Sequence, residues 1–283
     1  MKTSLTGKST SVTIERHAPF TIIGEKINPV GNKKLAASLL ASDYEYALDL
    51  ARSQIEAGAG ILDVSVGASG VDEVKVLPEV IKLLIDEIEV PICLDSPNGG
   101  ALAAGLEVAP GKPLVNSVNG EEKSMEAILP IVKDRDAAVI GLTMDEDGIP
   151  NDAEKRFSIA EKILERAAKI GIPKEDVIID PLVLAIGSDT NAGIVTLRTI
   201  ELVSQHLGVN INLGASNVSF GLPDRHTINQ AFLGLAIAAG ATCAITDPLR
   251  LTPTIKALDL LLGRDEYAGR YIKECRRRAA KVE

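Results

Sequence analysis

DYEYALDLARSQIEAGAGILDVSV, residues 43–66, holds both kinds of pattern from which the rest of the chain is built. Residues 43–57 have helical period, with Asp43 as a candidate N-cap and Gly58 as a candidate C-cap. The run GILDVSV (60–66) that follows is a short apolar stretch rich in Val and Ile. Seven more such runs occur: FTIIGEKI (20–27), VPICLD (90–95), PLVNSV (113–118), AAVIGLT (137–143), VIIDPL (177–182), INLGAS (211–216) and TCAITD (242–247). Each is nearly continuous in apolar residues rather than alternating, as expected of strands covered on both faces. Helical patterns separate them. One runs over 152–170, opening at Asp152 and ending at Gly171–Pro173; another runs over 190–206, from Thr190 to before Gly208. Eight strand–helix units with no break in composition favour one closed (β/α)8 TIM barrel, a single α/β domain over residues 1–283.

Length and composition agree. Barrels of this class run about 250 residues, and this chain has 283, of which 46% are apolar. Aromatics make up 3% and Trp is missing, so the core is built of Ile, Leu, Val and Ala. A net charge of -9 argues against nucleic acid, which needs a basic face. Cys93, Cys243 and Cys275 are odd in number and far apart, so they read as reduced thiols of a cytoplasmic protein. Residues 1–18 form a polar extension without the apolar segment of a secretory leader. The longest apolar stretch, Ala231 to Ile245, is interrupted by Gly234 and Gly240; it reads as a buried helix and strand, not a membrane span.

Most of the strands end in polar residues that a buried strand would not choose for packing. Glu25, Lys26 and Asn28 end the first, and Asp63 lies in the second. Asp95, Ser96 and Asn98 follow at the third, Asn116 and Asn119 at the fourth, and Asp180 at the sixth. Asn217 follows the seventh and Asp247 ends the eighth. All fall at carboxyl ends, the face on which barrels of this class carry their active sites. One strand-end Asp often only caps the next helix; convergence of six or more on one rim points to a site. Carboxylates accept hydrogen bonds and carboxamides both donate and accept. The set therefore suits a neutral, flat ligand with N–H donors beside carbonyl acceptors, such as a 2-amino-4-oxo-pteridine edge; adenine or flavin would use some of the same groups.

Other chemistries have little support. No GxxxxGK[ST] or GxGxxG occurs. Gly214-Ala-Ser-Asn-Val218 lacks the closing glycine of a nucleophile elbow. Asp145-Glu-Asp-Gly148 lacks a twelve-residue calcium-loop pattern and reads as a solvated turn. His17, His206 and His226 are isolated, and the basic run from Lys273 to Lys281 reads as a solvated helix end.

Several ordered motifs resemble a known family. GEKINPVGNKK (24–34) and ALDLARSQIEAGAGILDVSVG (47–67) are similar to the opening of the pterin-binding barrels of cobalamin-dependent methionine synthase and of methyltetrahydrofolate:corrinoid protein methyltransferases. The resemblance continues through CLDSPN (93–98), VNSVNG (115–120), GLTMDEDGIP (141–150), IDPLVL (179–184) and GASNVSFGLPDR (214–225), spanning residue 20 to about 265. It implies that Asp95, Asn116 and Asp180 hold the pterin ring, that Asn217 reaches N5 of the folate, and that Gly214 and Ser216 line the same pocket. Glu25, Asn28, Asp63, Asn98 and Asn119 match the rim more loosely. Phe220-Gly-Leu-Pro departs from the pattern, since other members often carry polar residues there.

The activity so implied is methyl transfer between N5 of 5-methyltetrahydrofolate or tetrahydrofolate and the cobalt of a corrinoid (cobalamin) held by a separate protein. Co(I) is the nucleophile in the forward direction, no metal is bound by the chain itself, and the protein is a homodimer. Dihydropteroate synthase is the nearest alternative, sharing the barrel and the Asp/Asn/Asp grip. It expects a basic residue from strand seven and an Arg-x-His ending strand eight, where this chain has Gly214-Ala-Ser-Asn217 and Thr246-Asp-Pro248. A non-catalytic pterin-binding subunit is the other alternative; binding alone does not need Asn217.

Overall fold

The computed structural model describes residues 1–280. Its strands are β1 (Lys2–Thr6), β2 (Ser11–Glu15), β3 (Thr21–Ile27), β4 (Ile61–Ser65), β5 (Ile92–Asp95), β6 (Leu114–Asn119), β7 (Ala138–Leu142), β8 (Val177–Asp180) and β9 (Cys243–Thr246). The helices are α1 (Lys33–Leu40), α2 (Glu45–Glu56), α3 (Glu73–Glu87), α4 (Gly99–Val108), α5 (Glu122–Asp134), α6 (Ala153–Lys169), α7 (Ala192–Leu202), α8 (Arg225–Ala239), α9 (Pro248–Leu261) and α10 (Gly269–Ala279). Strands β3 to β9 form a parallel sheet in the order β8-β7-β6-β5-β4-β3-β9, with helices in the connections.

The gap between β8 and β9 is where the seventh sequence-predicted strand, 211–216, belongs. That stretch is not a regular strand but still closes the ring. Ile179 N donates to Asn210 O (3.0 Å) and Asn212 N to Ile179 O (2.9 Å), while Ile245 N donates to Leu213 O (2.9 Å) on the other side. Parallel bridges pair Ile179 with Ile211 and Gly214 with Ile245. It ends early because the chain turns at Gly214 into a 3₁₀ turn, Ala215–Ser219.

Helix ends follow local chemistry. Asp152 caps α6 by accepting from Lys155 N (2.8 Å), and Gly58, at φ +107°, takes the left-handed position after α2. Two expectations shift. Asp43 accepts weakly from Glu45 N (3.3 Å), but Tyr44 is the residue at the cap of α2. The helix placed at Thr190 begins at Ala192, with Asn191 as its cap. It loosens into a π-turn over Val203–Leu207 before Gly208. The basic tail is helical in α10; Lys281 lies outside the described residues.

Two apolar layers hold the barrel. Outward residues such as Leu62, Leu94, Val115, Val139 and Ile179 pack against the helices. Inward residues Ile23, Ile61, Cys93, Leu114, Ala138, Ile140, Ile178 and Cys243 fill the interior. With them pack Leu5 and Ile14 of the β1–β2 hairpin, both 0% exposed. Thr6 exchanges backbone hydrogen bonds with Lys112 (3.1 and 3.0 Å), and Asn210 Nδ2 donates to Ile14 O (2.9 Å). The amino-terminal segment, whose place the sequence leaves open, is thus a plug in the lower end of the barrel. Leu5→Ala should lower unfolding free energy by about 2–5 kcal/mol in urea denaturation. A loss under about 0.5 kcal/mol would mean that the plug is marginal to the core.

Candidate functional site

Side chains alternate along a strand, so residues two apart point into the barrel together. Above the apolar layer of Ile23, Ile61, Cys93, Leu114 and Ile178, the next inward positions are Glu25, Asp63, Asp95, Asn116 and Asp180. They line a cleft of about 1060 Å³ at the carboxyl ends of the strands, together with Asn28, Gly214, Ser216 and Asn217. The two remaining rim candidates stand elsewhere. Asn98 is exposed and caps α4, accepting from Gly100 N (2.9 Å) and Ala101 N (3.4 Å). Asn119 accepts from Glu121 N (2.9 Å) and donates to Glu121 Oε1 (3.2 Å), facing an adjoining depression that shares Asp95, Asn116 and Leu142 with the cleft. Asn98 lies past the end of β5, where the chain turns toward α4, and Asn119 is the last residue of β6, beyond a register shift after Asn116.

The floor of the cleft is a cluster of desolvated carboxylates. Asp63 is 3% exposed and accepts from Asn116 Nδ2 (3.2 Å). Burial, then the charge of Asp95, pushes its carboxyl far above the usual range. Asp95 is pushed up less, by burial, with a hydrogen bond from Ser65 opposing. Burial raises Asp180 to about 6, against hydrogen bonds from Leu182 N and Asn212 Nδ2, both at 2.8 Å. Glu25 is raised by burial, while the Ser216 hydroxyl, donating to Oε2 at 2.8 Å, holds it down. Burial beside Asp95 thus favours the protonated form of Asp63, whereas two N–H donors hold Asp180 toward its acceptor form.

Neighbours fix these side chains. Gln54, wholly buried, accepts from Lys26 N (2.8 Å) and anchors the end of β3. It needs a glycine opposite, since a Cβ on Gly24 would meet Gln54 Oε1 at 2.5 Å. Arg225 Nη2 donates to Ser216 O (2.7 Å) and its Nε to Ser219 Oγ (3.0 Å), holding the turn that carries Asn217. Asn217 is exposed at the cleft, and among the described residues its carboxamide has no hydrogen-bond partner. Gly214 lies close below it; a Cβ there would come within 3.0 Å of Asn217 Nδ2.

Sequence reasoning passed over two contributors, Asn212 and Arg225, and gave Lys26, paired with Asp247 at 2.7 Å, no role beyond ending its strand. Asn212 carried a signal, being a polar residue two before Gly214 in an expected strand. Arg225 carried none. No group of three or more His, Cys, Asp or Glu placed for a metal ion occurs among the described residues, and none of their helices is long and apolar enough to cross a membrane.

Residues 24–247 match the pterin binding enzyme family, a span that includes every residue lining the cleft. The chain belongs to that family. It is 34% identical over 263 residues to the methylcorrinoid:tetrahydrofolate methyltransferase of Eubacterium limosum, covering 90% of this chain and 96% of that protein. It is 32% identical over 282 residues to the methionine synthase of Mycobacterium tuberculosis, covering 92% of this chain but 24% of that much longer protein. Among solved structures, a dihydropteroate synthase of Xanthomonas albilineans superposes with a TM-score of 0.73 at 21% identity, covering 94% of this chain and 100% of that one. One from Yersinia pestis superposes at 0.70 and 16%, covering 93% and 100%. These two likenesses are of fold. The chain is a pterin-binding enzyme similar to the methylcorrinoid:tetrahydrofolate methyltransferase, with a fold that the dihydropteroate synthases share.

The carboxylate cluster has a consequence for stability. A carboxyl that titrates higher in the folded chain than in the unfolded one binds more protons when folded. Its contribution is then fully present at acid pH and is lost as pH rises above the usual carboxylate range. Asp63→Asn should therefore stabilise the protein by little near pH 4 and by on the order of several kcal/mol near pH 8. Thermal midpoints at the two pH values test this; a gain equal at both would show that Asp63 is not the desolvated acid.

Proposed function

We propose that this chain transfers a methyl group between N5 of a reduced folate and the cobalt of a corrinoid carried by a separate protein. The observation that carries the reading is Asn217, an uncommitted carboxamide at the mouth of a cleft floored by acceptors. The methylcorrinoid:tetrahydrofolate methyltransferase likeness, which runs nearly the full length of both chains, supports it.

The donor set fits a pteridine. Asp180, ionised near neutral pH, accepts from the ring N–H and exocyclic amine, while Asn116 offers both an amide donor and an acceptor to the ring edge. Asp95 completes the grip, and Gly214 and Ser216 leave room beside N5. The reduced corrinoid supplies a two-electron nucleophile, with no residue of this chain assigned to hold it. A methyl group leaves N5 readily only when N5 carries positive charge. Asn217 is not an acid near neutral pH, but its amide oxygen can accept from protonated N5. That bond is stronger in the transition state than in the ground state, so it accelerates the reaction. In reverse, the same contact steadies N5 as it gains the methyl group. With this reading go a corrinoid protein as partner, a homodimer and a place in the cytoplasm.

A dihydropteroate synthase-like condensation is the second reading. The fold likeness favours it, and Lys26 and Arg225 bring cations to the cleft that would suit a pyrophosphate leaving group. Lys26 is neutralised by Asp247, however, and Arg225 is turned onto Ser216 O. A pterin-binding subunit without catalysis is the remaining alternative.

The deciding experiment follows corrinoid absorbance, with free cobalamin as surrogate, in the presence of the protein and either methyltetrahydrofolate or tetrahydrofolate. Methyl transfer in either direction supports the proposal. Silence in both, with condensation of p-aminobenzoate and a dihydropterin pyrophosphate, would establish the second reading. Silence everywhere with folate bound would leave the binding subunit. Asn217→Ala should slow methyl transfer by about 10²–10³-fold while weakening folate binding far less; equal losses would remove its transition-state role. Asp180→Asn should weaken folate binding about 10-fold or more, and an unchanged Kd would mean that the pteridine sits elsewhere.

A further inference from the structure

Arg156, on α6, is the largest fully buried side chain among the described residues, at 0% exposure. Its guanidinium meets carbonyl oxygens rather than a carboxylate. Nε donates to Pro150 O (2.7 Å), and Nη1 to Pro181 O (2.7 Å) and Leu182 O (2.8 Å). Nη2 is buried with no partner among the described residues. Pro150 lies in the loop between β7 and α6, and Pro181 and Leu182 lie in the loop after β8. One side chain thus ties together two loops at the mouth of the barrel. Thr196 of α7 reinforces the tie by donating to Leu182 O (3.0 Å).

The tied turn is an unusual one. Leu182 sits at φ +61°, a left-handed conformation that leucine rarely adopts. There its N–H donates to Asp180 Oδ1 (2.8 Å), and Leu182 itself lines the cleft. Neutral donors would hold the same carbonyls without the cost of burying an unpaired guanidinium. The carboxylates nearest in effect to that charge are Asp180 and Asp189.

We infer that Arg156 is a positioning residue for Asp180: it locks the Pro181–Leu182 turn, whose Leu182 N–H holds the Asp180 carboxylate aimed into the cleft. The inference rests on the reading of Asp180 as the group that receives the pteridine N–H donors. Asp180 is also faced by Asn212 Nδ2, by the backbone N–H groups of Leu182 and Gly214, and by the Cys243 thiol of β9, which burial holds protonated. The other charged groups of the cleft are Glu25, Lys26, Lys33, Asp63, Asp95 and Arg225.

The test is a carboxyl ¹³C NMR titration of Asp180 in ligand-free protein, paired with tetrahydrofolate titrations across the same pH range. In Arg156→Gln the Asp180 midpoint should move up by about half a pH unit or more, and folate affinity should begin to fall at correspondingly higher pH. Arg156→Lys should return the midpoint toward the wild-type value, while affinity stays several-fold low because one ammonium does not span both loops. An unmoved midpoint in Arg156→Gln, with affinity unchanged or lowered evenly at all pH values, would overturn the inference and leave a structural staple. If Arg156→Gln does not fold, the Leu182 amide resonance of ligand-free Arg156→Lys decides: displacement from its wild-type position supports the tie, and an undisplaced resonance overturns it. Failure of the wild-type protein to bind tetrahydrofolate would instead count against the folate reading, since the ligand-free titration stands apart from it.

Discussion

Everything at the open end of this barrel follows from keeping ionisable oxygens where water is scarce. The alternation of the strands turns every second residue inward, and a closed ring leaves those residues no other direction. One layer down, the same alternation gives Ile23, Ile61, Leu114 and Ile178, which pack on the β1–β2 plug. One layer up it gives Glu25, Asp63, Asp95, Asn116 and Asp180. The change from core to site is thus a change of residue type at constant geometry. It requires that the upper layer be held by partners rather than by packing.

Those partners are distributed unevenly, and the unevenness differentiates the carboxylates. Asp180 has two N–H donors at 2.8 Å and the nearby charge of Arg156. Asp63 has a longer bond from Asn116, and Asp95 beside it. Two acids in similar desolvation are therefore pushed up to different degrees, Asp63 further than Asp180. Held on rigid strand ends, they give a flat ligand a fixed pattern of donors and acceptors to match.

The strands were legible in the sequence because burial on both faces leaves a continuous apolar run, and because the polar residues that interrupt each run fall at its carboxyl end. Strand seven was the weakest case. Its apolar pattern was right in place, but Gly214 turns the chain before a regular ladder forms. Asn98 and Asn119 were misplaced because the linear chain shows that a polar residue lies near a strand end, not whether it lies on an inward position or in the turn beyond. Both turned out to hold the backbone of the following turn, a local role that Asn fills readily. Arg156 was invisible for a different reason. Within AEKRFSIAEK it reads as one more charge on a solvated helix face, and only the packing of two distant loops over α6 puts it inside.

The arrangement also couples ligand binding to protons. An N–H donor approaching Asp180 binds the ionised carboxylate better than the neutral acid, so occupancy of the cleft draws that group's titration downward from about 6. Asp63 stands far above the usual range because hydrogen bonds from Cys93 and Asn116 offset its burial beside Asp95 only in part. The cluster is therefore least favourable to the fold at the neutral and alkaline pH at which its acceptors are ionised and most useful. Stability given up on the cleft floor has to come from elsewhere in the molecule, and the apolar plug at the opposite end, with Leu5 and Ile14 wholly buried, is a place where it is regained without touching the site. Separation of the two ends along the strands lets a barrel keep a strained mouth on a well-packed base.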